Sequence, residues 1–449
     1  MNDVEKSDIT VSKEQLIGLI NDVLQEARRL GADQASAAAT VDAGLTVTSR
    51  FGEVETVEYQ KDRGMGVTVY MGKKKGTAST SDLDPDQVRS TVAKACSIAG
   101  YTQEDTCAGL AEAELMPKQV RDLDLNHPWS LTPEDAMEIT QACEQVALGF
   151  DERIKNSEGA TAGRHQALRV YGNSHGFIDG YHSTSHSLSC SVLAQQNGAM
   201  ERDYWYTSSR NPQHLESAEQ VGKRAAERTV RRLGAQKLST RKVPILFPPE
   251  LAKGLMAHCI GALSGGSQYR EASFLLGAAG QQIFPEFVNF KEKPHLLQAI
   301  GSAPFDNEGV ETCDRVLIDQ GIIQGYVLSS YSGRKLNLPT TGNAGGVRNM
   351  EISGGEKDFD ELLKEMDTGF YVSELIGHGV NMVTGDYSRG AAGFWVQGGE
   401  IQHAVSEVTV AGNLKDIYQD LVAVGNDLDT RGSLRCGSVL VSEMTVAGE

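Results

Sequence analysis

The sequence contains no apolar run long enough to span a bilayer, and its first residues lack a basic segment followed by an apolar one. Cysteine is also sparse. Its seven residues are scattered, odd in number and never spaced as C-x-x-C. This usage argues against a disulfide framework or a zinc finger, and it is typical of a reducing compartment. We therefore expect a cytoplasmic protein that has no membrane partner.

Positive charge is in deficit. The chain has 42 Lys and Arg against 60 Asp and Glu, which gives a net charge of -18. Such a field is unfavourable for a phosphate backbone. The one dense basic run, Lys73–Lys75, lies between two strand-like segments and is typical of a solvated hairpin tip. The composition therefore predicts no nucleic-acid partner.

At 449 residues, with 40% hydrophobic and 23% charged residues, the chain is long enough for two or more globular domains. A capping box at Ser12 precedes apolar residues at helical spacing, and further helix starts follow at Asp84 and Thr132. Short β-branched runs at 45–50, 53–60, 66–70 and within 167–207 predict antiparallel strands. The pattern predicts an N-terminal α+β domain over residues 1–238.

Residues 239–449 are richer in glycine and poorer in helical patterns. Helices are predicted only at 249–263 and 359–366. Strands are predicted at 315–318, 322–329, 369–375, 393–396 and 405–410, joined by glycine loops. Short strands at this spacing indicate a closed or nearly closed β structure. The expected fold class is α+β, with a C-terminal barrel-like domain that has few helices.

The predicted helix at 249–263 carries His258 in an apolar surrounding. One such histidine can bind a metal or move a proton, but it is more often a core residue. The pair His182 and His186 lies on a predicted strand. Strand geometry separates these rings by about 13 Å, which is too far to share a metal.

Glycine-rich polar loops are predicted at 265–270, 340–350 and 385–393, and they could bind a peptide because glycine allows another backbone to approach closely. Tight turns between barrel strands are an equally good interpretation. The candidate substrate-binding side chains are Ser267, Tyr269, Arg270, Asp386, Tyr387, Ser388 and Arg389.

Several longer motifs together carry a family resemblance. They are R-F-G-E-V-E-T-V-E at 50–58, V-Y-G-N-S-H-G at 170–176, M-E-R-D-Y at 200–204, G-D-Y-S-R-G-A-A-G-F-W-V at 385–396, V-A-G-N-L at 410–414 and R-C-G-S-V at 435–439. With these motifs the chain resembles the PmbA/TldE branch of the TldD/PmbA metallopeptidase family, once called modulators of DNA gyrase. The resemblance implies a cytoplasmic heterodimer in which a TldD-like subunit, holding zinc, cleaves peptides. It leaves a homodimer possible for the chain alone.

In the TldD branch the catalytic helix resembles H-E-x-x-x-H, and a distant cysteine completes the metal site. Matched residue by residue, His258 and Cys436 are kept, whereas Cys259 stands at the glutamate and Leu263 at the second histidine. The resemblance therefore implies a non-catalytic partner without its own zinc, with His258 near Cys436 and no metal between them. A self-sufficient metallopeptidase using His258 with cysteine ligands stays open, because thiolates suit zinc. A non-enzymatic peptide-binding regulator also stays open.

Overall fold

The computed structural model describes residues 9–448, and the first half of this range forms one six-stranded sheet. Its strands are β1 (Gln34–Arg50), β2 (Glu53–Met71), β3 (Lys74–Thr80), β4 (Ile154–Asn173), β5 (Ile178–Gln196) and β6 (Ala199–Ser209). They are ordered β3-β2-β1-β4-β5-β6, and all neighbours are antiparallel. The predicted runs at 53–60 and 66–70 are in fact one strand, because ladder pairing with β1 continues through Gly64 and Gly66.

Helices cover one face of this sheet: α1 (Lys13–Arg29), α2 (Pro85–Tyr101), α3 (Pro133–Gly149) and α4 (Ala218–Arg231). The predicted capping box is confirmed, since the Ser12 hydroxyl accepts from the Gln15 N–H and the Gln15 side chain bonds the Ser12 N–H. Helix α1 packs against β1, β4 and β5, and α2 packs against β2 and β3, whereas α3 and α4 cover the other part of the same face on β1 and β4–β6. The predicted hairpin tip is also confirmed, because the lysines start β3 just after the turn at Gly72.

The second half contains a closed five-stranded barrel. Its strands are β7 (Arg241–Phe247), β12 (Gly369–Ile376), β13 (Asp386–Gln397), β14 (Glu400–Asn413) and β17 (Val439–Ala447). They run β14-β13-β12-β7-β17, and pairing of β14 with β17 closes the ring. A second sheet, ordered β10-β9-β8-β11-β16, consists of β8 (Asn289–Glu292), β9 (Arg315–Asp319), β10 (Ile322–Ile323), β11 (Met350–Ser353) and β16 (Leu434–Cys436). A short strand, β15 (Leu421–Val424), pairs with β17. The α+β class with a barrel-like second part is confirmed.

The helices of the second half are short: α5 (Pro249–Ala262), α6 (Gly265–Tyr269), α7 (Ser330–Leu336), α8 (Phe359–Met366) and α9 (Leu414–Gln419). Three predictions are wrong here. The strand predicted at 322–329 ends at Ile323. The chain then leaves the sheet, and a capping box at Ser329 starts α7. The loop predicted at 265–270 is α6, which Ser264 caps.

The third wrong prediction concerns the loop at 385–393, most of which is strand β13. Pairing with β12 on one side and β14 on the other keeps this glycine-rich stretch extended. Within residues 9–448, no helix is both long and apolar enough to cross a membrane. The division of the chain at residue 238 stays a prediction.

Candidate functional site

Helix α5 carries the histidine that the sequence singled out. Pro249 occupies its first turn, where a missing N–H costs nothing. Its buried face consists of Ala252, Leu255, Met256, Cys259 and Ala262. The helix ends at Leu263, whose N–H bonds the Cys259 carbonyl. The apolar pattern that makes α5 a core helix therefore includes Cys259 and Leu263, the two positions that the resemblance matches to polar catalytic groups.

His258 lies at the edge of this apolar face and is half-buried. Its ring packs edge-on against Tyr387, with the ring centroids 6.3 Å apart. Burial lowers the pKa of His258, and the positive charge of Arg389 lowers it further. The imidazole is therefore neutral at neutral pH and can accept or donate one hydrogen bond.

Strand β13 supplies the neighbours of His258. Tyr387 and Arg389 are two residues apart and therefore share one strand face, the face toward α5. Within the described residues, Tyr387 Oη and Arg389 Nε are buried without a hydrogen bond of good geometry, although the two side chains interact with each other and Arg389 Nη2 donates to the Leu375 carbonyl at 3.4 Å. Burial raises the pKa of Tyr387 to about 12, so its hydroxyl stays protonated. These donors beside a neutral imidazole can bind a carbonyl or carboxylate oxygen of a ligand.

The other two β13 candidates lie on the exposed side of the strand. Asp386 accepts a hydrogen bond from Thr384 Oγ1 at 2.6 Å and one from Asn413 Nδ2 at 3.3 Å. The Ser388 N–H donates to the Gly379 carbonyl at 2.7 Å. Both residues thus hold the turn that leads into β13, and only Tyr387 and Arg389 join His258.

The candidates Ser267 and Tyr269 of α6 and Arg270, which follows it, contact α5, each other and α7. Ser267 Oγ donates to the Gly261 carbonyl at 2.9 Å. Arg270 Nη1 donates to Tyr269 Oη at 3.2 Å, and the Tyr269 ring meets Tyr331 edge-on at 5.9 Å. The Ser267 contact therefore stabilises the end of α5. A role in substrate binding stays a prediction for all three.

The residues at the family's metal positions do not fit a zinc centre. Cys259 and Cys436 are fully buried, and burial raises the pKa of both thiols. A zinc thiolate needs further ligands beside it, and both cysteines belong to the apolar core instead. Leu263 is buried and offers no ligand atom. Between residues 9 and 448, no group of three His, Cys, Asp or Glu side chains could hold a metal.

The proximity of His258 and Cys436 also stays a prediction. Helix α5 packs against β16, which ends at Cys436. The charges that shift the pKa of the Cys436 thiol belong to Asp427, Asp429 and Lys253. The charge that shifts the pKa of His258 belongs to Arg389 on β13. The two side chains therefore have different charged neighbours.

Sequence reasoning missed a charged cavity of about 570 Å³ where α4 and β6 meet the start of α5. Arg228 bridges the two halves, with Nε 3.4 Å from Asp203 and Nη1 2.7 Å from Glu250. The Trp205 ring lies 3.8 Å from the Arg224 guanidinium and 4.3 Å from that of Arg431. The sequence motif nearest to this cavity is M-E-R-D-Y at 200–204, just before Trp205. It supported the family resemblance but did not predict a cavity or a chemical role.

Comparison with known proteins shows which family this fold belongs to. Models of the PmbA/TldA metallopeptidase domains match residues 40–99 (domain 1), 126–233 (central domain) and 240–448 (C-terminal domain). The fold and these matches define a metallopeptidase-type chain. The chain belongs to the PmbA/TldD metallopeptidase family.

Individual relatives agree. The chain is 50% identical to "Metalloprotease PmbA" of Escherichia coli O157:H7 over 417 residues, which is 93% of each chain. It is 44% identical to a "Metalloprotease PmbA homolog" of Haemophilus influenzae, over 98% of each chain. A putative modulator of DNA gyrase from Bacteroides thetaiotaomicron has the same fold, with a TM-score of 0.92, 28% identity and coverage of 98% of this chain and 100% of that one. TldE from Thermococcus kodakarensis shares the fold at a TM-score of 0.84 and 18% identity, over 96% of this chain and 100% of that one.

Proposed function

We propose that this chain is the TldE-type subunit of a cytoplasmic TldD/TldE-type metallopeptidase complex that cleaves peptides or unfolded proteins. The observation that carries the proposal is the pair Cys259 and Leu263. Both are buried in the apolar core, and they stand where the family's catalytic helix has its general base and second histidine. Without a base and a full ligand set, this chain cannot generate the metal-bound water that such hydrolysis uses. Zinc is expected in the TldD-like partner.

The contribution of this chain is to shape the peptide chamber. His258, Tyr387 and Arg389 present one neutral imidazole and two donor groups that the described residues satisfy only in part along the edge of α5. Buried donors that are incompletely satisfied are costly, and a bound peptide carbonyl or carboxylate would satisfy them. We therefore assign them a positioning role toward the substrate, with the chemistry left to the partner.

The test is reconstitution. This chain and a TldD-like subunit from the same cell are purified separately, and cleavage of an unfolded test protein is measured for each alone and for the equimolar mixture. We expect no turnover by this chain alone and a rise in rate as it is added to the partner, saturating at one copy per partner. Turnover by this chain alone would contradict the proposal and favour the self-sufficient peptidase.

A paired variant separates positioning from chemistry. In the mixture, Tyr387→Phe combined with Arg389→Gln should raise KM more than it lowers kcat, because both lost groups are donors to the substrate. Ser388→Ala, on the exposed side of the same strand, keeps the backbone bond to Gly379, so it is the matched control and should leave both constants unchanged. If the mixture is no faster than the TldD-like subunit alone, the chain acts as a separate peptide-binding protein.

A further inference from the structure

The charged cavity between the two halves of the molecule contains hydrogen-bonding groups that the protein itself does not use. Its volume of about 570 Å³ is typical of a small-molecule site, and such sites often lie between domains. One wall comes from α4 and β6, and the other comes from the start of α5, from β12 and β13, and from residues 427–431. Because His258 lies near the other end of α5, this cavity is separate from the candidate site.

Tyr371 on β12 is the buried donor of the cavity. It is 8% exposed, and its hydroxyl makes no hydrogen bond to the described residues. The charges of Glu250, Arg228 and Arg231, which line the cavity, all act on this hydroxyl, so it lies on the cavity side. Burial raises the pKa of Tyr371 to about 12, and its hydroxyl therefore stays protonated. A buried donor without a partner is costly, and a bound acceptor would satisfy it.

Two arginines of α4 add positive charge that has no counterion among the described residues. The guanidinium carbon of Arg231 lies 5.2 Å from the centroid of the Phe394 ring, and that of Arg224 lies 3.8 Å from the centroid of the Trp205 ring. Neither arginine makes a hydrogen bond or an ion pair with the part of the chain that the structure describes. The N–H groups of both are therefore available to an anion in the cavity.

The acidic residues of the cavity are already held by other protein groups, with one exception. Those that have a close partner are Asp203, Glu216, Glu250, Asp427 and Asp429. The exception is Glu227, whose one cation among the described residues, Lys223, is 3.9 Å away. Glu227 lies one helical turn before Arg231 on α4. The helix therefore presents an acceptor of positive charge and a donor to negative charge side by side.

An apolar surface adjoins these groups. The Phe359 ring lies edge-on to Tyr371, with the ring centroids 5.0 Å apart, and Leu428 lines the same cavity. Both Phe359 and Leu428 are half-buried, so a ligand can cover what remains exposed of them. The cavity thus combines partners for a carboxylate, an ammonium group and an apolar side chain.

From this combination we propose that the charged cavity binds a free α-amino acid with a large apolar side chain. Its carboxylate accepts from the Tyr371 hydroxyl and Arg231, its ammonium group donates to Glu227, and its side chain packs against Phe359. Glu227 and Arg231 are only one turn apart, which suits the adjacent charges of an amino acid better than the separated ends of a peptide. The inference goes beyond the proposed role in a peptidase complex and does not depend on it.

A titration of the full chain with L-phenylalanine tests the proposal. Saturation-transfer difference NMR measures binding, and we expect a Kd near or below about 1 mM for a ligand of this size. L-phenylalaninamide lacks the carboxylate, and 3-phenylpropanoate lacks the ammonium group. Each should bind about ten-fold more weakly than L-phenylalanine, because a charged partner in the cavity is left unused.

Two variants distinguish a ligand site from a structural role. Tyr371→Phe and Arg231→Gln should each weaken binding of L-phenylalanine about ten-fold. Tyr371→Phe should leave the melting temperature unchanged or raise it, because its hydroxyl has no protein partner to lose. Arg241→Gln is the matched control, since Arg241 lies over the Trp395 ring at 5.1 Å and is not part of the cavity lining. It should bind as tightly as the native chain.

Three outcomes would overturn the inference. They are no binding by the native chain, equal binding of L-phenylalanine and its amide, and native affinity in both Tyr371→Phe and Arg231→Gln. If L-alanyl-L-phenylalanine binds ten-fold more tightly than L-phenylalanine, the ligand is the end of a peptide and the amino-acid assignment is wrong. Because this chain is titrated alone, a failure here leaves the reconstitution test of the proposed function unaffected.

Discussion

Two regions at opposite ends of helix α5 are stabilised in different ways. At the start of α5, Arg228, Asp203 and Glu250 form a network of charges that joins the two halves of the molecule. We call this network and the charged residues around it the junction. Toward its end, the resemblance matches Cys259 and Leu263 to catalytic groups of the TldD branch, and here both residues are part of the core. The charged chemistry of this chain therefore holds the fold together at the junction, and the helix that could have been catalytic contributes packing.

The largest expected effect comes from forcing charge into the packed region. Cys259→Glu buries a carboxylate that has no cation or metal beside it among the described residues. We expect the free energy of unfolding to fall by about 4 kcal/mol. Urea unfolding followed by fluorescence measures the change. Cys259→Ala is the matched control and should cost about 1 kcal/mol, as expected for a small cavity. Equal effects of the two would show that this position tolerates charge.

Removing charge from the junction should have the next largest effect. Arg228→Ala removes the shorter arginine contact of Asp203, which is 5% exposed, and leaves it Arg232 at 3.8 Å and the Tyr204 N–H at 2.8 Å. It also removes the ion-pair partner of Glu250 among the described residues. A loss of about 3 kcal/mol in the free energy of unfolding is expected, by the same denaturation assay.

Arg224→Ala, one turn earlier on α4, removes an arginine that stacks on Trp205 and makes no ion pair with the described residues. It should cost about 1 kcal/mol or less. A cost for Arg224 as large as that for Arg228 would mean that stacking, rather than ion pairing, joins the halves.

Lowering the pH should destabilise the charged junction, because its carboxylates become protonated, before it affects the apolar part of α5. Burial would raise the pKa of Asp429, but the hydrogen bonds from Arg431 and Lys253 outweigh burial and lower it to about 2. The pKa is thus lower in the folded chain than the roughly 3.9 of an unfolded one. The carboxylate therefore stabilises the fold at all pH values above that range, and this contribution is lost as the pH falls from about 4 to about 2.

The measurement is the unfolding free energy between pH 5 and pH 2 for the native chain and for Asp429→Asn. The variant should be less stable at pH 5 and should lose less stability on acidification. A variant whose stability falls as steeply as that of the native chain would show that other carboxylates control the acid transition.

The smallest effect is expected for His258, at the edge of the apolar face of α5. His258→Ala removes a half-buried ring that meets Tyr387 and makes no hydrogen bond within the described residues. Stability should change by about 1 kcal/mol, and kcat of the reconstituted mixture should stay close to that of the native pair. A loss of kcat by two orders of magnitude would mean that the imidazole takes part in the chemistry.

The contrast between these regions also explains what the sequence could predict. The α5 helix, the capping boxes and the barrel could be anticipated because they rest on local chemistry and periodic patterns. The segments 265–270 and 385–393 looked like loops because glycine is frequent in them. Their true states depend on the Ser264 cap and on ladder pairing with β12 and β14, and the ladder joins residues distant in the chain.

The residues of the candidate site also differ in how far the sequence could predict them. His258 could be singled out because its neighbours on the helix are apolar. Its grouping with Tyr387 and Arg389 depends on how β13 lies against α5, more than a hundred residues further along the chain. The junction around Arg228 had no motif at all, because its ion pairs join α4, β6 and α5 only through the tertiary fold.

The central claim is that this chain has no catalytic zinc of its own. The most direct measurement is the zinc content per chain of the separately purified protein, after mild chelation and gel filtration, beside a TldD-like subunit treated identically. The account predicts zinc far below one per chain here and close to one in the partner. One zinc per chain in this protein, lost in Cys436→Ala and in His258→Ala, would contradict it.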